Sequence, residues 1–328
     1  MQKIILGQNG PEVSSVGLGC MGMSEFYGGT DDENSKQVIL SALENGVTMI
    51  DTADTYGDGH NERLISGVIK KWGNRVCIAT KFGIVRKLGS YEREICGRPQ
   101  YVRQAVEKSL KRLDIETIDL YYIHRIDTTV PIEDTVGAMS ELVREGKIKY
   151  LGLSEASVKT VLKAHAVHPI SCVQSEYSLF TRDVEDFLLP ALRKNGIGFV
   201  SYSPLGRGLL TGKLTKESME HDGDLRKYLP RTSVENFDTN MSLVNALKKI
   251  ADSKEITLSQ LALAWILSKG DDIVPIPGTR NVKYLMDNIN AAKVHLNDDD
   301  IKEIETIVYP DAVKGERYTS EGMKGVNC

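Results

Sequence analysis

The sequence has few of the features that would place it outside the ordinary globular proteins. It has no run of about 18 apolar residues, so no transmembrane helix is expected. The opening stretch reaches Gly10 and Pro11 before any long apolar segment or cleavage pattern, so no signal peptide is expected. Blocks of like charge are absent, and the net charge is only −4 over 328 residues. That balance gives no electrostatic reason to expect nucleic acid as a partner. The cysteines (Cys20, Cys77, Cys96, Cys172 and Cys328) are odd in number, scattered, and never spaced C-x-x-C. They form neither a disulfide framework nor a zinc site, and no metal site is expected. A reducing, cytoplasmic setting is the expectation.

What is present is an alternation. Short runs rich in Val and Ile occur at 15–19, 47–50, 75–80, 118–123, 149–153, 172–175, 198–202 and 273–276. They are almost continuously apolar, which suits parallel strands buried on both faces. Helix-period stretches lie between them, at 34–45, 101–113, 132–144, 158–166, 184–195, 258–268 and 282–291. In 101–113 the apolar or small residues Val102, Ala105, Val106, Ser109, Leu110 and Leu113 share one face, and Pro99 stands near the helix entry.

Eight strands alternating with helices predict an α/β fold of the (β/α)8 TIM-barrel type, spanning 1–328 as one domain. A short N-terminal hairpin and an extra C-terminal helix after Asn297 would lie outside the repeat. Gly17, Gly19 and Gly22 imitate the glycine spacing of a dinucleotide-binding turn, but no helix pattern starts there, which argues against a doubly wound sheet. The stretch 211–238 reads as a long loop followed by a helix.

Asp51, Lys81 and His124 each follow one of three consecutive strands, and Tyr56 stands in the loop after the first. In a parallel barrel the C-terminal strand ends share one rim, where active sites are built. A tyrosine, with an ordinary pKa of about 10, is a poor acid near neutrality. A cation beside it lowers that value. Lys81 is the expected cation, Asp51 the group that holds it, and His124 a donor to a substrate carbonyl. Such a set suits proton delivery to a carbonyl oxygen. The hydride would come from a cofactor, because no side chain carries one.

Longer stretches carry a resemblance. Asp51-Thr-Ala-Asp-Thr-Tyr56-Gly57, Ala79-Thr80-Lys81-Phe82, Ile118 to His124, Leu151 to Ser154, Gln174 to Ser178, Tyr202 to Gly206 and Ile276 to Thr279 occur in an order and spacing that resemble the aldo-keto reductases. The resemblance implies a catalytic tetrad of Asp51, Tyr56, Lys81 and His124 and a bound NADP(H). It implies that Ser154 and Gln174 hold the nicotinamide carboxamide and that Tyr202 stacks on the ring. The loop with Ser203, Pro204, Leu205, Gly206 and Gly208 would wrap the pyrophosphate. Gly278, Thr279, Arg280, Asp287 and Asn288 would surround the adenosine end, with Arg280 on the 2′-phosphate. The implied activity is NADPH-dependent reduction of aldehydes or ketones.

One position departs from the pattern. Glu155 stands where many relatives have Asn, and a carboxylate cannot donate to a carboxamide oxygen. His124 argues against steroid double-bond reduction, which in this family goes with Glu at that place. A non-catalytic, NADP(H)-sensing regulatory subunit of the same fold is the alternative from another class. The direction of the reaction in vivo and self-association stay open. Expected pocket walls are Met23, Phe26, Tyr27, 84–96 and 125–130, and small aromatic or aliphatic aldehydes are the broad substrate expectation. His60 is a further candidate to line the site. His165 and His168 are read as exposed, and Asp298, Asp299 and Asp300 as the start of a helix rather than a metal cluster.

Overall fold

The computed structural model describes residues 1–86, 93–309 and 311–327. Its strands are β1 (Lys3–Ile5), β2 (Glu12–Ser14), β3 (Leu18–Gly19), β4 (Met49–Asp51), β5 (Cys77–Phe82), β6 (Ile84–Arg86), β7 (Arg93–Ile95), β8 (Ile118–Ile123), β9 (Ile148–Ser154), β10 (Ile170–Glu176), β11 (Gly198–Tyr202) and β12 (Ile273–Pro275). The α-helices are α1 (Asp32–Glu44), α2 (His60–Ile69), α3 (Pro99–Leu113), α4 (Ile132–Arg144), α5 (Val158–Val167), α6 (Leu188–Lys194), α7 (Val234–Ser253), α8 (Leu258–Leu267), α9 (Val282–Asn290), α10 (Asp298–Ile307) and α11 (Ser320–Met323).

Eight of the strands make one parallel sheet in the order β12-β11-β10-β9-β8-β5-β4-β3. The sheet curls until its ends meet. Gly17 N–H donates to the Pro275 carbonyl at 2.9 Å and Gly19 N–H to that of Pro277 at 3.3 Å. The seam needs glycine, since a Cβ on Gly19 would lie 2.7 Å from the Ile276 carbonyl oxygen. The result is the (β/α)8 barrel expected from the alternation.

Because side chains alternate along a strand, every second residue points into the barrel. Met49, Cys77, Ala79, Leu120, Tyr122, Cys172, Val200, Val274 and Ile276 form that inner layer. The Tyr122 ring fills the space beside Gly152, where a Cβ would sit 2.4 Å from it. The opposite parity packs outward against the helices, as with Phe82, stacked on Tyr121 of β8 at 4.9 Å and set against Tyr101 of α3 at 6.5 Å. The hairpin β1–β2 is antiparallel and stands at the start of β10 and β11. Gln8 N–H donates to the Gly196 carbonyl at 2.8 Å, and Leu6 belongs to the inner layer. The hairpin thus stoppers the end of the barrel away from the strand termini.

Several elements depart from the expected bounds. The strand at 15–19 shortens to Leu18–Gly19, and the helix at 184–195 to Leu188–Lys194. Pro99 is the first residue of α3 rather than its forerunner. Asp298, Asp299 and Asp300 open α10, where Asn297 caps Asp300 N–H and the Asp300 carboxylate accepts from Asn297 N–H at 2.9 Å. His165 accepts from Ile170 N–H at 3.1 Å. Among the described residues no helix is long and apolar enough to cross a membrane.

Candidate active site

The inward parity continues past the inner layer to the C-terminal rim. Counting by twos from Met49, Ala79, Tyr122, Cys172 and Val200 gives Asp51, Lys81, His124, Gln174 and Tyr202. The same count on β9 gives Ser154, which pairs with Gln174 across the sheet. Pleating alone therefore brings six polar or aromatic side chains to one ring.

Lys81 and Asp51 form the floor of that ring. The Lys81 ammonium donates to Asp51 Oδ1 at 2.5 Å and to the Thr52 carbonyl at 2.7 Å. It reaches Tyr56 Oη at 3.5 Å. Gln174 Nε2 donates to the other Asp51 oxygen at 2.8 Å. Burial pushes Asp51 up and Lys81 down, and their pairing opposes both displacements.

Tyr56 is brought over this pair by a tight loop. Gly57, Asp58 and Gly59 all have positive φ and turn the chain into α2. The first turn of α2 is bolted down by polar bonds. Thr52 Oγ1 donates to Asn61 Oδ1 at 2.6 Å, Thr80 Oγ1 to Glu62 at 2.7 Å, and Arg112 Nε to Glu62 at 2.5 Å. His60 does not reach the cavity wall. It bridges Ser24 Oγ at 2.9 Å and Asp32 at 3.1 Å, fixing the loop from outside.

The electrostatics correct one expectation. Burial, reinforced by the Asp51 carboxylate, raises the Tyr56 phenol well above its ordinary value, and Arg125 is the cation that opposes this. The Lys81 charge, shared with Asp51 and the Thr52 carbonyl, does not overcome these effects, and the phenol stays a weaker acid than a free tyrosine. Tyr56 keeps its proton throughout the neutral range. Burial, with Arg125 and Lys81 adding to it, lowers the imidazole of His124 well below its usual value. A neutral ring results, packed edge-on to Tyr56 with centroids 5.7 Å apart. Its Nδ1 is buried without a partner.

A cavity of about 900 Å³ opens above this floor. Asp51, Tyr56, His124, Ser154, Gln174 and Tyr202 line one end. Ser203, Pro204, Leu205, Gly208, Gly278, Thr279 and Arg280 line other parts of it. Lys81 lies behind Asp51 and Tyr56, and it, Gly206, Asp287 and Asn288 are not part of the wall. Of the expected pocket walls, Met23, Phe26, Tyr27, Ile84, Arg86, Arg93 and Arg125 face the cavity, whereas 87–92 lie outside the described residues. The Arg280 guanidinium donates to the carbonyls of Gly29 and Tyr27, the latter at 2.8 Å, so it ties the β3–α1 loop across the mouth.

These features match those of known proteins. The model of the aldo/keto reductase family matches residues 15–308. The chain belongs to that family. A probable aldo-keto reductase 1 from Glycine max is 47% identical over 320 residues, covering 97% of this chain and 92% of the relative. The structure of a glycerol dehydrogenase from Gluconobacter oxydans superposes with a TM-score of 0.85 at 29% identity, covering 94% of this chain and 96% of that one. A thermostable aldo-keto reductase solved with the inhibitor epalrestat has a TM-score of 0.76 at 31% identity, covering 94% and 100% of the two chains. As an aldo-keto reductase the protein is an oxidoreductase of the class that acts on small carbonyl compounds with a nicotinamide cofactor.

The cavity fits such a cofactor. It holds about 900 Å³, Nδ1 of His124 beside it has no partner, and one wall is a loop in which Ser203, Gly206, Arg207 and Gly208 all have positive φ. Such turns can gather backbone N–H groups for an anion; here the Gly206 and Gly208 N–H groups close the turns onto the Ser203 and Leu205 carbonyls, at 2.9 and 3.0 Å. Non-glycine residues hold that conformation only where their surroundings enforce it. Arg207 is so held by Glu176, at 2.9 Å. Burial would raise the Glu176 carboxyl, but Arg207, Arg231 and Arg317 overrule it and hold it below its ordinary value.

Three parts of this aldo-keto reductase site were not anticipated. One is Glu176 with its arginines. Another is the segment after α10, which brings Tyr318, Thr319 and Gly322 to the wall. Tyr318 Oη lies 2.8 Å from that of Tyr202, and Arg207 packs over the Tyr318 ring. The third is the role of Glu155. It turns away from the cavity, with φ of 52°, accepts from Glu176 N–H at 3.0 Å and pairs with Arg317 at 3.1 Å. The one signal available was Glu155 itself, a charge in an apolar strand end.

Proposed function

We propose that this aldo-keto reductase is an NADPH-dependent reductase of aldehydes and ketones in which Tyr56 supplies the proton. The observation that carries the reading is the meeting of Asp51, Tyr56 and His124 on the wall of one cavity, with Lys81 buried behind them against Asp51 and Tyr56. The cofactor, when bound, supplies the hydride. Ser154 and Gln174 would hold its carboxamide, Tyr202 its nicotinamide ring, the loop 203–208 its pyrophosphate, and Gly278, Thr279 and Arg280 its adenosine end. Asp287 and Asn288 would support that end from α9 rather than touch it.

The protein's own groups then divide the work. His124, neutral because buried, donates one hydrogen bond to the substrate oxygen and fixes its position. Tyr56 keeps its proton at neutral pH and passes it to that oxygen as negative charge develops there. The phenolate left behind is stabilised by Lys81 at 3.5 Å, and Asp51 keeps Lys81 charged for that moment. In the opposite direction the same groups remove a proton from an alcohol. The described cysteines Cys20, Cys77, Cys96 and Cys172 are buried thiols, which suits a cytoplasmic setting.

The test is NADPH consumption with a panel of small aldehydes, wild type against Tyr56→Phe. Turnover is expected to fall by about 10²-fold or more, the usual share of a positioned general acid, with NADPH affinity kept. Equal turnover in the two proteins would remove Tyr56 from the role. Tight NADPH binding with no turnover on any carbonyl would favour a cofactor-sensing protein instead.

A further inference from the structure

The cavity wall holds a buried charge that the proposed chemistry does not use. Arg125 directly follows His124 and is 7% exposed. Its Nη1 donates to the His124 carbonyl at 2.7 Å and to Ser154 Oγ at 3.2 Å. Its Nε is buried with no acceptor. No carboxylate lies within ion-pair distance of it among the described residues. Three other arginines on the wall have carboxylates, Arg86 with Glu25, Arg207 with Glu176 and Arg226 with Asp224, and Arg280 is bonded to two carbonyls at the loop 27–29. Glu155, whose charge Arg125 feels, is taken by Arg317 and Glu176 N–H. Burying a guanidinium without an anion is strongly unfavourable. A free guanidinium edge beside the reacting end of a cavity is a partner for an anion that arrives with the substrate.

We infer that Arg125 selects carbonyl substrates that carry a carboxylate, or a like anionic oxygen group, close to the carbonyl. The inference rests on the carbonyl-reductase reading. Arg125 lies beside Tyr56 and His124, whereas the proposed reading gives the cofactor's phosphates to the loop 203–208 and to Gly278, Thr279 and Arg280. The anion that completes Arg125 therefore belongs to the substrate. A guanidinium binds a carboxylate through its N–H donors; Nη2 carries no hydrogen bond and is the donor left for it, while the unpartnered Nε is inaccessible and would join only as the side chain shifts onto the anion. The phenols of Tyr202 and Tyr318 face the same charge and would flank the carboxylate without repelling it.

Two near-isosteric aldehydes, 4-oxobutanoate and 4-methylpentanal, differ in the carboxylate alone. The ratio of their kcat/KM values, charged over neutral, is expected to fall by about 50-fold in Arg125→Met, the range for a charge-assisted hydrogen-bonded pair. Arg125→Lys should restore part of it, because a point charge keeps attraction without the two-donor geometry. Benzoate binding to the NADP⁺-loaded protein, read by calorimetry against benzamide, should weaken at least tenfold in Arg125→Met while benzamide binding keeps its value. A ratio within threefold of wild type overturns the proposal. So does a loss of NADPH affinity as large as the loss for benzoate, which would give Arg125 to the cofactor. If no carbonyl is reduced by the wild type, the carbonyl-reductase reading falls, and the benzoate comparison alone decides whether Arg125 receives an anion.

Discussion

The pairing of Glu155 with Arg317 carries a prediction that can be worked through. Both side chains are nearly inaccessible, at 2% and 4% exposure, and two hydrogen bonds of 3.3 and 3.1 Å join them. Arg317→Met would strip Glu155 of its cation while leaving it buried on the Glu176 N–H. Breaking one side of such a pair costs about 3–5 kcal/mol, whereas replacing both sides by neutral groups is often close to neutral. Asp183 also approaches Arg317, at 3.6 Å, but it is half exposed and contributes little. The fold has a cheaper response than global unfolding. The segment after α10 is held mainly by polar contacts: Arg317, Tyr318, the Asn240 amide on Lys314, Arg231 on the Gly315 carbonyl, Arg93 on that of Gly322, and Asn327, whose Oδ1 accepts from Ser157 N–H at 3.0 Å and Thr160 Oγ1 at 2.8 Å and whose N–H donates to the Glu155 carbonyl at 3.1 Å. The loss should therefore appear first as detachment of that segment. Amide exchange at 313–327 should rise strongly in Arg317→Met, with the urea midpoint of the barrel shifting less than 3–5 kcal/mol would imply. The double variant Glu155→Gln, Arg317→Met should recover most of the protection. Unchanged exchange in the single variant, or a double variant that merely adds the two single losses, would refute the reasoning.

Other perturbations test separate parts of the structure. Arg280→Ala should weaken NADPH far more than NADH if the guanidinium serves the 2′-phosphate; equal weakening in titrations with the two cofactors would leave it only the loop tie to Gly29 and Tyr27. Asp54 is raised to about 8, chiefly by burial and then by Glu62, and its Oδ1 is inaccessible and unpartnered. Its folded-state value lies above its unfolded one, so its contribution is full below about pH 4 and is lost as the pH rises toward 8. Urea melts should show the stability advantage of Asp54→Asn widening from pH 5 to pH 8, and a constant gap would contradict it. His124 has the opposite sign: its folded value is depressed, so stability should decline as the pH drops below about 6.5, where the unfolded chain takes up a proton the fold refuses. A His124→Gln variant that declined as steeply between pH 7 and 5 would assign the decline elsewhere.

The barrel was legible because its strands are buried on both faces and so read as continuous apolar runs. Ile118–Ile123 and Gly198–Tyr202 coincide with their expected limits for that reason. The same pleating made Asp51, Lys81 and His124 visible as polar breaks at strand ends. Helix α2 was not legible. Its first turn faces inward with Asn61 and Glu62, which are buried yet bonded to Thr52 and Thr80, so the apolar period begins only at Leu64. The helix expected at 184–195 lost its first turn to side-chain bonding, since Glu185 is taken by Arg182 and Tyr177. The segment after α10 was opaque for a different reason. It docks by ion pairs and phenol contacts with residues far away in sequence, and such pairings leave no local period.

The seam between Gly17 and Pro275 also bears on how the chain is made. During synthesis the first barrel strand leaves the ribosome early, but the neighbour that covers its outer edge is almost the last to emerge. The N-terminal hairpin waits likewise for the start of β11. Until then β3 presents unpaired amides, and such an edge invites wrong partners. Its being only two residues long keeps that exposure small. The shortness of β3 thus reads as protection for a nascent ring that nothing can close until its eighth strand has been made.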